Sequence, residues 1–111
     1  MLPRTNRLPV KAIHELKRIG KLYKGFFLGV LVAKNNLRES RAAIVVSTKV
    51  SKKASERNRI KRIIRSFLIS SFVNKVGGYD ILILVKSNIV DKGNDQIKQD
   101  LGKVFTGANL S

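Results

Sequence analysis

Between residues 41 and 67 the hydrophobic period of the chain changes, and this change constrains the fold more than any other feature of the sequence. Residues 42–46 are apolar and end in a β-branched run, which is typical of a strand. After a basic loop, the apolar residues recur at the spacing of an α-helix. The sequence therefore predicts a strand, a loop and an amphipathic helix in this order.

The helix expected over residues 53–73 has a basic side and an apolar side, because successive residues turn by about 100°. The basic arc consists of Arg57, Asn58, Arg59, Lys61, Arg62 and Arg65. The opposite arc consists of Ile60, Ile63, Ile64, Phe67 and Leu68. We expect Ser55 to cap the helix and Glu56 to lie in its first turn, where the helix dipole favours an anion. One face must pack on a core, while the other is open to solvent or to a partner.

The positive charge of this segment is concentrated. Residues 41–67 contain nine basic side chains and one acid, and nine minus one gives +8, half of the net charge of +16. Like charges three or four residues apart on a helix repel each other, and no carboxylate is expected among them to relieve the repulsion. An ordinary solvated face is the alternative, but a domain that needed only solubility would mix the two signs. An external polyanion such as a nucleic acid explains the pattern better.

Length and composition limit the class of protein. A chain of 111 residues with 43% hydrophobic residues is expected to fold as one domain, residues 1–111, in which residues 1–9 form an extended N-terminal arm. The longest apolar runs have the length of strands and no secretory signal is recognised, so we expect no membrane contact and a cytoplasmic location. The absence of cysteine excludes disulfides, thiolate zinc sites and cysteine nucleophiles.

The rest of the chain indicates an α+β fold. Further helices are expected over residues 10–19, ending at Gly20, and over 94–105, and strands are expected over 26–33, 42–49 and 79–86. The first two strands are predicted to form an antiparallel hairpin, and the first and third are apolar on both faces. The predicted architecture is a small two-layer sandwich, with helices against a central, mostly antiparallel sheet.

The sequence contains no recognisable catalytic centre. Its seven acids form no convergent group of the kind that a two-metal nuclease needs, and Asp91 and Asp95 have the spacing of a turn and a helix cap. His14 has no serine or acid partner, and neither a P-loop nor a glycine-rich dinucleotide motif occurs. We therefore expect a binding protein with no catalytic residue, no metal site and no cofactor of its own.

The sequence of residues 46–67, VSTKVSKKASERNRIKRIIRSF, resembles the signature of the protein subunit of bacterial ribonuclease P. In that family a strand ends in a valine-serine-lysine-lysine type sequence. After a short loop, a helix opens with arginine-asparagine-arginine and a lysine-arginine pair. Residues 57–59 and 61–62 fit this pattern. Individually weaker resemblances cover nearly the whole chain, at residues 6–8, 26–28, 79–86 and 96–105.

The resemblance implies a function that the charge pattern alone does not reach. The family is the small partner of a large catalytic RNA, and together they remove the 5′ leader from precursor tRNA. The RNA holds the Mg²⁺ ions and carries out the hydrolysis, and one protein per RNA is expected. The family fold is an α+β sandwich with a left-handed βαβ crossover, whereas the general rule for such a crossover is right-handed.

The resemblance also implies two binding surfaces. The basic loop and helix face the catalytic RNA through Lys52, Lys53, Arg57, Asn58, Arg59, Lys61, Arg62 and Arg65. A groove between the first helix and the sheet holds the single-stranded leader, and the residues expected there are Lys11, His14, Phe26, Phe27, Ser47, Lys49 and Lys86. The first helix lacks the two aromatic residues that the family usually has. Phe26 or Phe27 is expected to replace them, unless both pack in the core.

Three other classes of protein fit part of the pattern. A small basic ribosomal protein, or another structural RNA-binding protein, has the same charge but lacks the arginine-asparagine-arginine helix in this setting. A nuclease that acts without an RNA subunit would cleave RNA as the purified protein. A helix on a membrane surface conflicts with the need for the apolar side of the basic helix in the core.

Overall fold

The computed structural model describes residues 2–73 and 75–110, and its central element is the strand β4 (Tyr79–Val85). The helices are α1 (Val10–Ile19), α2 (Ala54–Ser71) and α3 (Asn94–Gly107), and the other strands are β1 (Lys21–Lys24), β2 (Leu28–Lys34) and β3 (Arg41–Val45). Short 3-10 helices occur at Arg4–Asn6 and Ser87–Ile89. Because β4 carries apolar side chains towards both faces of the sheet, it has to be covered on both.

Within the described residues the strands form one sheet in the order β1-β2-β4-β3. β4 runs antiparallel to β2 and parallel to β3, so that Leu82 lies opposite Leu31 on one side and Ala43 on the other. β1 extends the sheet by pairing antiparallel with β2. The α+β class and the mostly antiparallel sheet predicted from the sequence are confirmed.

The predicted hairpin between strands 26–33 and 42–49 is wrong, because β4 lies between β2 and β3. A strand that is apolar on both faces gains most at the centre of a sheet, where neighbours on both edges also satisfy its backbone groups. The polar turn at residues 35–40 therefore carries the chain past the end of β4 to its far side. β3 returns to β4 through α2, which gives the predicted βαβ crossover. The left-handedness of this crossover stays a prediction.

Helices cover both faces of the sheet. The larger core cluster joins Val30, Ile81 and Ile83 of the sheet to the apolar sides of α2 and α3. The smaller cluster lies on the opposite face, where Leu16 of α1 packs with Leu82. The two layers predicted from the sequence correspond to the sheet with α2 and α3, and α1 adds a helix on the second face.

The bounds of the helices agree with the sequence better than those of the strands. α1 spans the expected residues, and α2 lies inside the expected range. Ser55 does not cap α2, because the residue at the N-cap is Lys53. The backbone N–H of Lys53 donates to the hydroxyl of Ser51 at 3.2 Å. The serine that accepts a backbone hydrogen bond near the start of α2 is therefore Ser51, about one turn before the predicted cap, Ser55. β1 is not predicted, because four residues with a lysine at each end carry too little periodicity.

The N-terminal segment lies along β3 and protects part of that edge of the sheet. Leu2 and Leu8 are buried, and the N–H of Leu8 donates to the carbonyl of Ala42 at 3.0 Å. Arg7 forms an isolated parallel bridge with Ala42. An edge strand with free backbone groups is open to pairing with other chains, and this segment satisfies some of those groups.

An ion pair ties the start of β3 to the start of β4. Arg41 donates from Nε to Asp80 Oδ1 at 2.9 Å and from Nη2 to Oδ2 at 2.7 Å. Asn35, in the turn that precedes β3, donates from Nδ2 to Asp80 Oδ1 at 2.8 Å. Asp80 is buried, and the hydrogen bonds to its carboxylate raise the pKa of Arg41. The carboxylate of Asp80 therefore fixes both the turn that contains Asn35 and the start of β3, which follows this turn and pairs with β4.

Replacing Asp80 by alanine is expected to lower the free energy of unfolding by about 1–3 kcal/mol, because a partly buried guanidinium and an amide lose their acceptor. Urea denaturation at neutral pH measures the change. Glu15→Ala is the matched control, because Glu15 pairs with an Arg18 side chain that is 70% exposed. Such a pair contributes less than about 1 kcal/mol. Equal losses in the two variants would contradict the role assigned to Asp80.

Candidate nucleic-acid interface

The loop between β3 and α2 presents its lysines from a backbone held by local hydrogen bonds. The N–H of Val50 donates to the carbonyl of Ser47 at 3.0 Å and closes a turn. Arg57, in the first turn of α2, donates from Nη1 to the carbonyl of Ser51 at 2.8 Å and joins the loop to the helix. The exposed lysines of this loop are Lys49, Lys52 and Lys53.

The apolar side of α2 is buried in the core. Ile60, Ile64 and Leu68 are 0% exposed and Ile63 is 8% exposed, as the sequence predicts. The basic arc lies on the other side, where Asn58 and Arg62 are exposed and where Arg57, Arg59, Lys61 and Arg65 are half-buried. The side of α2 that is left for a partner is therefore the cationic one.

Arg59 is bound within the protein. Its Nη2 donates to Glu56 Oε1 at 2.7 Å and its Nε to Oε2 at 3.2 Å, while its Nη1 donates to the carbonyl of Lys92 at 3.0 Å. The hydrogen bonds between the two side chains lower the pKa of Glu56 and raise the pKa of Arg59. The expectation that no carboxylate relieves the repulsion on this helix is wrong, because Glu56 lies one turn before Arg59. Arg59 joins α2 to the segment that precedes α3.

The basic arc continues into a groove on either side of α2. In the α2–α3 groove, Lys98 Nζ lies 3.4 Å from Ser66 Oγ. This groove is lined by Arg59, Arg62, Ile63, Ser66, Asn94 and Lys98. The groove along the edge of β3 is lined by Leu2, Arg7, residues 42–44, Lys61 and Arg65. Lys98 and Arg7 belong to this basic surface but were not predicted, because neither lies in the segment that carries the motif.

Several of the predicted leader-binding residues meet at one end of the sheet. β3 and β4 are parallel, so Ser47 and Lys86, which follow them, lie at the same end. The turn before β2 reaches this end as well, because Leu28 pairs with Val85. The N–H of Lys86 donates to the carbonyl of Phe27 at 2.9 Å. The structure therefore brings Ser47, Lys86 and the Phe26–Phe27 turn to one end of the sheet, next to the loop that carries Lys49.

Phe26 and Phe27 nevertheless do not line the predicted groove between α1 and the sheet. Phe27 packs against the core cluster of α2 and α3. Phe26 is 73% exposed and lies beside α3. The reason is local: β2 begins only at Leu28, so the alternation of faces along the strand does not extend into the turn.

Lys11 and His14 lie on the outer side of α1. A rotation of about 100° per residue puts them roughly 140° and 160° from Leu16, the buried residue of α1 that packs on the sheet. Both side chains are exposed. They therefore belong to the surface of α1 that faces away from the sheet, and the structure does not bring them to the expected groove floor.

The sheet face that carries α1 has an aliphatic floor where the helix leaves it uncovered. Leu84 lies in register between Gly29 of β2 and Val45 of β3. Val45 is 40% exposed and Leu22, on β1, is 44% exposed. A Cβ added at Gly29 would lie 3.3 Å from Leu22 Cδ1, so the absence of a side chain at Gly29 leaves room for Leu22 on this face of the sheet. We call the surface formed by Leu22, Gly29, Val45 and Leu84 the sheet groove; on this face of the sheet the structure places aliphatic residues where the sequence predicts Phe26 or Phe27.

Two further findings concern the kind of site that the chain offers. In residues 2–73 and 75–110, no helix is long and apolar enough to cross a bilayer. The same residues contain no cluster of three or more histidine, cysteine, aspartate or glutamate side chains that is arranged to hold a metal ion. The candidate site is therefore described by its cations and its grooves.

Comparisons with known proteins agree with this geometry. A profile of the family described as Ribonuclease P matches residues 2–109. The "Ribonuclease P protein component" of Histophilus somni is 39% identical over 77 residues, which cover 68% of this chain and 63% of that protein. The protein of the same name from Fusobacterium nucleatum is 36% identical over 101 residues, covering 86% and 89%. A mutant RNase P protein from Staphylococcus aureus has a TM-score of 0.89 at 24% identity, over 97% of this chain and 92% of that one.

The fold and the basic helix define a small cationic α+β protein that carries half of its net positive charge in residues 41–67. The family profile, which covers nearly the whole chain, shows that the chain belongs to the ribonuclease P protein family. The matched segment spans less than two thirds of the length of the Histophilus somni relative.

Low pH is expected to weaken the tie between Glu56 and Arg59. Hydrogen bonding to Arg59 holds the pKa of Glu56 below its ordinary 4.5. Its stabilising effect is therefore complete above the unfolded-state pKa and is lost as the pH falls through the lower folded-state pKa. Urea denaturation of the wild type and Glu56→Gln should show a gap of about 1 kcal/mol or less at pH 6, since the pair is partly exposed. The gap should close towards pH 3; a gap that stays constant would contradict this account.

Proposed function

We propose that this chain is the protein subunit of a ribonuclease P holoenzyme, and that it assists a catalytic RNA in removing the 5′ leader of precursor tRNA in the cytoplasm. Membership of the family supports this role. The observation that carries it is the cationic side of α2, because the opposite side of the helix is buried in the core. Among the described residues, Arg59 is the one cation of the basic arc that forms a salt bridge, and its partner is Glu56. The others are left for an external polyanion.

In this proposal the RNA subunit carries out hydrolysis with Mg²⁺ ions that it holds itself, and one protein binds each RNA. A hydrolytic metal site needs several carboxylates that converge on the ions. Four of the acids in this chain are instead engaged in contacts within the protein, and these are Glu15, Glu56, Asp80 and Asp100. Their use as structural ties is consistent with a protein that contributes binding and leaves the chemistry to its RNA partner.

The catalytic RNA docks on the loop before α2 and on the basic arc of the helix. The residues that make this contact are Lys52, Lys53, Arg57, Asn58, Lys61, Arg62 and Arg65, and Arg59 supports it from within the protein. The guanidinium of Arg57 uses one N–H on the carbonyl of Ser51, which fixes its plane and leaves its other donors for a phosphate. Lys98 widens the surface across the α2–α3 groove.

The leader lies in the sheet groove, on the other face of the sheet. Single-stranded RNA binds where cations meet its backbone and a protein surface contacts its bases, and an aliphatic surface gains by burying part of the bases. The floor here is the aliphatic row that includes Val45 and Leu84, and Ser47, Lys49 and Lys86 lie at its end. Lys11 and His14 are outside the floor and make peripheral contacts. The two RNA segments thus bind on opposite faces of one sheet.

Reconstitution tests the proposed function. The purified protein, the catalytic RNA encoded by the same genome and a precursor tRNA are combined at low Mg²⁺ concentration, and release of the leader is measured. RNA with protein should release the leader faster than RNA alone, and protein alone should release none. No acceleration would favour a structural RNA-binding protein. Release by the protein alone, abolished by a point substitution, would show that the protein is itself a nuclease.

Arg62→Ala is expected to weaken binding of the catalytic RNA and to reduce the slope of log Kd against log salt concentration by roughly 0.7–0.9 for each phosphate that the variant no longer binds. The Arg62 side chain is exposed, so the free energy of unfolding should change little. Lys34→Ala is the control, because it removes the same charge from an exposed position. Lys34 lies at the end of the sheet that is opposite the loop before α2. Identical effects in both variants would mean that net charge, and not the face of α2, determines binding.

A further inference from the structure

The turn between β1 and β2 has a fixed backbone but leaves an aromatic ring in solvent. The N–H groups of Phe26 and Phe27 donate to Oδ1 and Oδ2 of Asp100, each at 2.9 Å. Asn88 donates from Nδ2 to the carbonyl of Phe26 at 2.9 Å. The ring of Phe26 is not used by the core, since the residue is 73% exposed. Two side chains from other elements therefore hold the backbone that presents this ring.

Gly25 allows the turn to lie directly against α3. A Cβ added there would lie 2.7 Å from Asp100 Oδ2 and 2.7 Å from Val104 Cγ2, so a larger residue would push the turn away. The carbonyl of Gly25 accepts a hydrogen bond from Lys86 Nζ at 2.7 Å. A side chain presented from a backbone fixed in this way needs little further ordering when a ligand binds, which favours affinity.

A concave pocket of about 430 Å³ lies next to the ring, between the turn and α3, and we call it the turn pocket. Tyr23 and Val104 contribute apolar surface, and Lys24 and Lys103 contribute two ammonium groups. Neither lysine forms an ion pair with another residue in 2–73 or 75–110. Asp100 is 5% exposed, and its carboxylate is occupied by the backbone N–H groups of the turn. The open surface of the pocket is therefore aromatic and positive.

We propose that the turn pocket binds an unpaired nucleotide of the catalytic RNA, with its base stacked on Phe26 and its phosphate near Lys24 and Lys103. An aromatic ring accepts the face of any base, and ammonium groups match the charge of the phosphate. A purely apolar protein segment would leave the two lysines without an acceptor. A nucleotide satisfies both the ring and the cations.

The position of the turn pocket selects the catalytic RNA over the leader, and this choice rests on the proposed function. The turn pocket lies on the α3 side of the sheet, the side that also carries α2, whereas the sheet groove lies on the α1 side. One flank of α3 contacts α2 through Lys98 and Ser66. The other flank holds Asp100 and the turn. An RNA strand on the basic arc has to cross only α3, a helix about 10–12 Å wide, to reach Phe26.

A fluorescent probe tests occupancy of the pocket directly. The chain contains no tryptophan, so Phe26→Trp introduces a single indole at the pocket. The catalytic RNA should quench its emission as a base stacks on the ring, and a leader oligonucleotide should not. Leu37→Trp is the control, because Leu37 is 49% exposed in the turn before β3, at the opposite end of the sheet. Its emission should stay unchanged with both RNAs.

Affinity measurements separate stacking from other contacts. Phe26→Ala should weaken binding of the catalytic RNA roughly 5- to 150-fold, the range for the loss of one stacked base, without changing the salt slope. Phe26→Tyr keeps the ring and should keep the affinity. Phe26→Leu keeps apolar area without a ring and should bind as weakly as the alanine variant. Leu37→Ala should bind like the wild type, and circular dichroism should show that every variant is folded.

Several results would overturn the proposal. Quenching of the Phe26→Trp variant by the leader and not by the catalytic RNA would show that the pocket binds the leader and not the catalytic RNA. Full affinity in Phe26→Leu would exclude stacking. Self-association of the wild type in sedimentation, lost in Phe26→Ala, would make a second copy of the chain the occupant. The reconstitution assay tests the two proposals separately. If the leader is released and substitutions of Phe26 change neither RNA affinity nor fluorescence, only the nucleotide site in the turn pocket is refuted. If the catalytic RNA quenches the Phe26→Trp variant but the leader is not released, only the proposed function is refuted.

Discussion

The strand β4 directs apolar side chains to both faces of the sheet, and the other elements are arranged around this strand. Ile81, Leu82 and Ile83 are 0% exposed, and each such side chain contributes about 1.5–3 kcal/mol when it leaves water. That gain places β4 between β2 and β3 and requires helices on both sides. α2 supplies its apolar arc to one face, so its cations must point outwards. The basic surface is in this sense a consequence of how the core is filled.

The acids and the cations of the chain have different uses. Asp80 fixes the turn and the start of β3, Asp100 fixes the turn before β2, and Glu56 fixes Arg59 against the segment before α3. Each of these carboxylates bonds to groups of the protein and so neutralises little of the outer surface. With 23 basic residues against seven acids, most of the positive charge is left without an internal partner. A polyanion of regular charge spacing is the kind of ligand that such a surface attracts over long distances.

The sequence was sufficient to predict the elements whose hydrophobic pattern repeats over many consecutive residues. The helix at residues 10–19 and the basic helix follow from periodicity, and the burial of Ile60, Ile64 and Leu68 follows from the same rotation. The pairing of β3 with β4 was not predictable from neighbouring residues, because it depends on which strand most needs the centre of the sheet. The position of Phe27 is missed because β2 begins only at Leu28, and the backbone of the turn before it is held by Asp100, 73 residues further along the chain. The sequence predicts that Glu56 interacts with the helix dipole, whereas its main partner in the structure is Arg59, one turn along the helix.

In the function proposed for this chain, the two faces of the sheet bind two RNA segments through different interactions. On the α2 side, phosphate contacts release counterions, so binding there depends steeply on salt. On the α1 side, the aliphatic row around Leu84 and Val45 gains from removing apolar surface from water, which depends little on salt. The two terms are separated by the thickness of the sheet, so one segment can bind without displacing the other. A stacking site at Phe26 would add to RNA binding on the α2 side a free-energy contribution that high salt does not remove. It would therefore hold the protein in one position on the RNA when salt screens the electrostatic attraction.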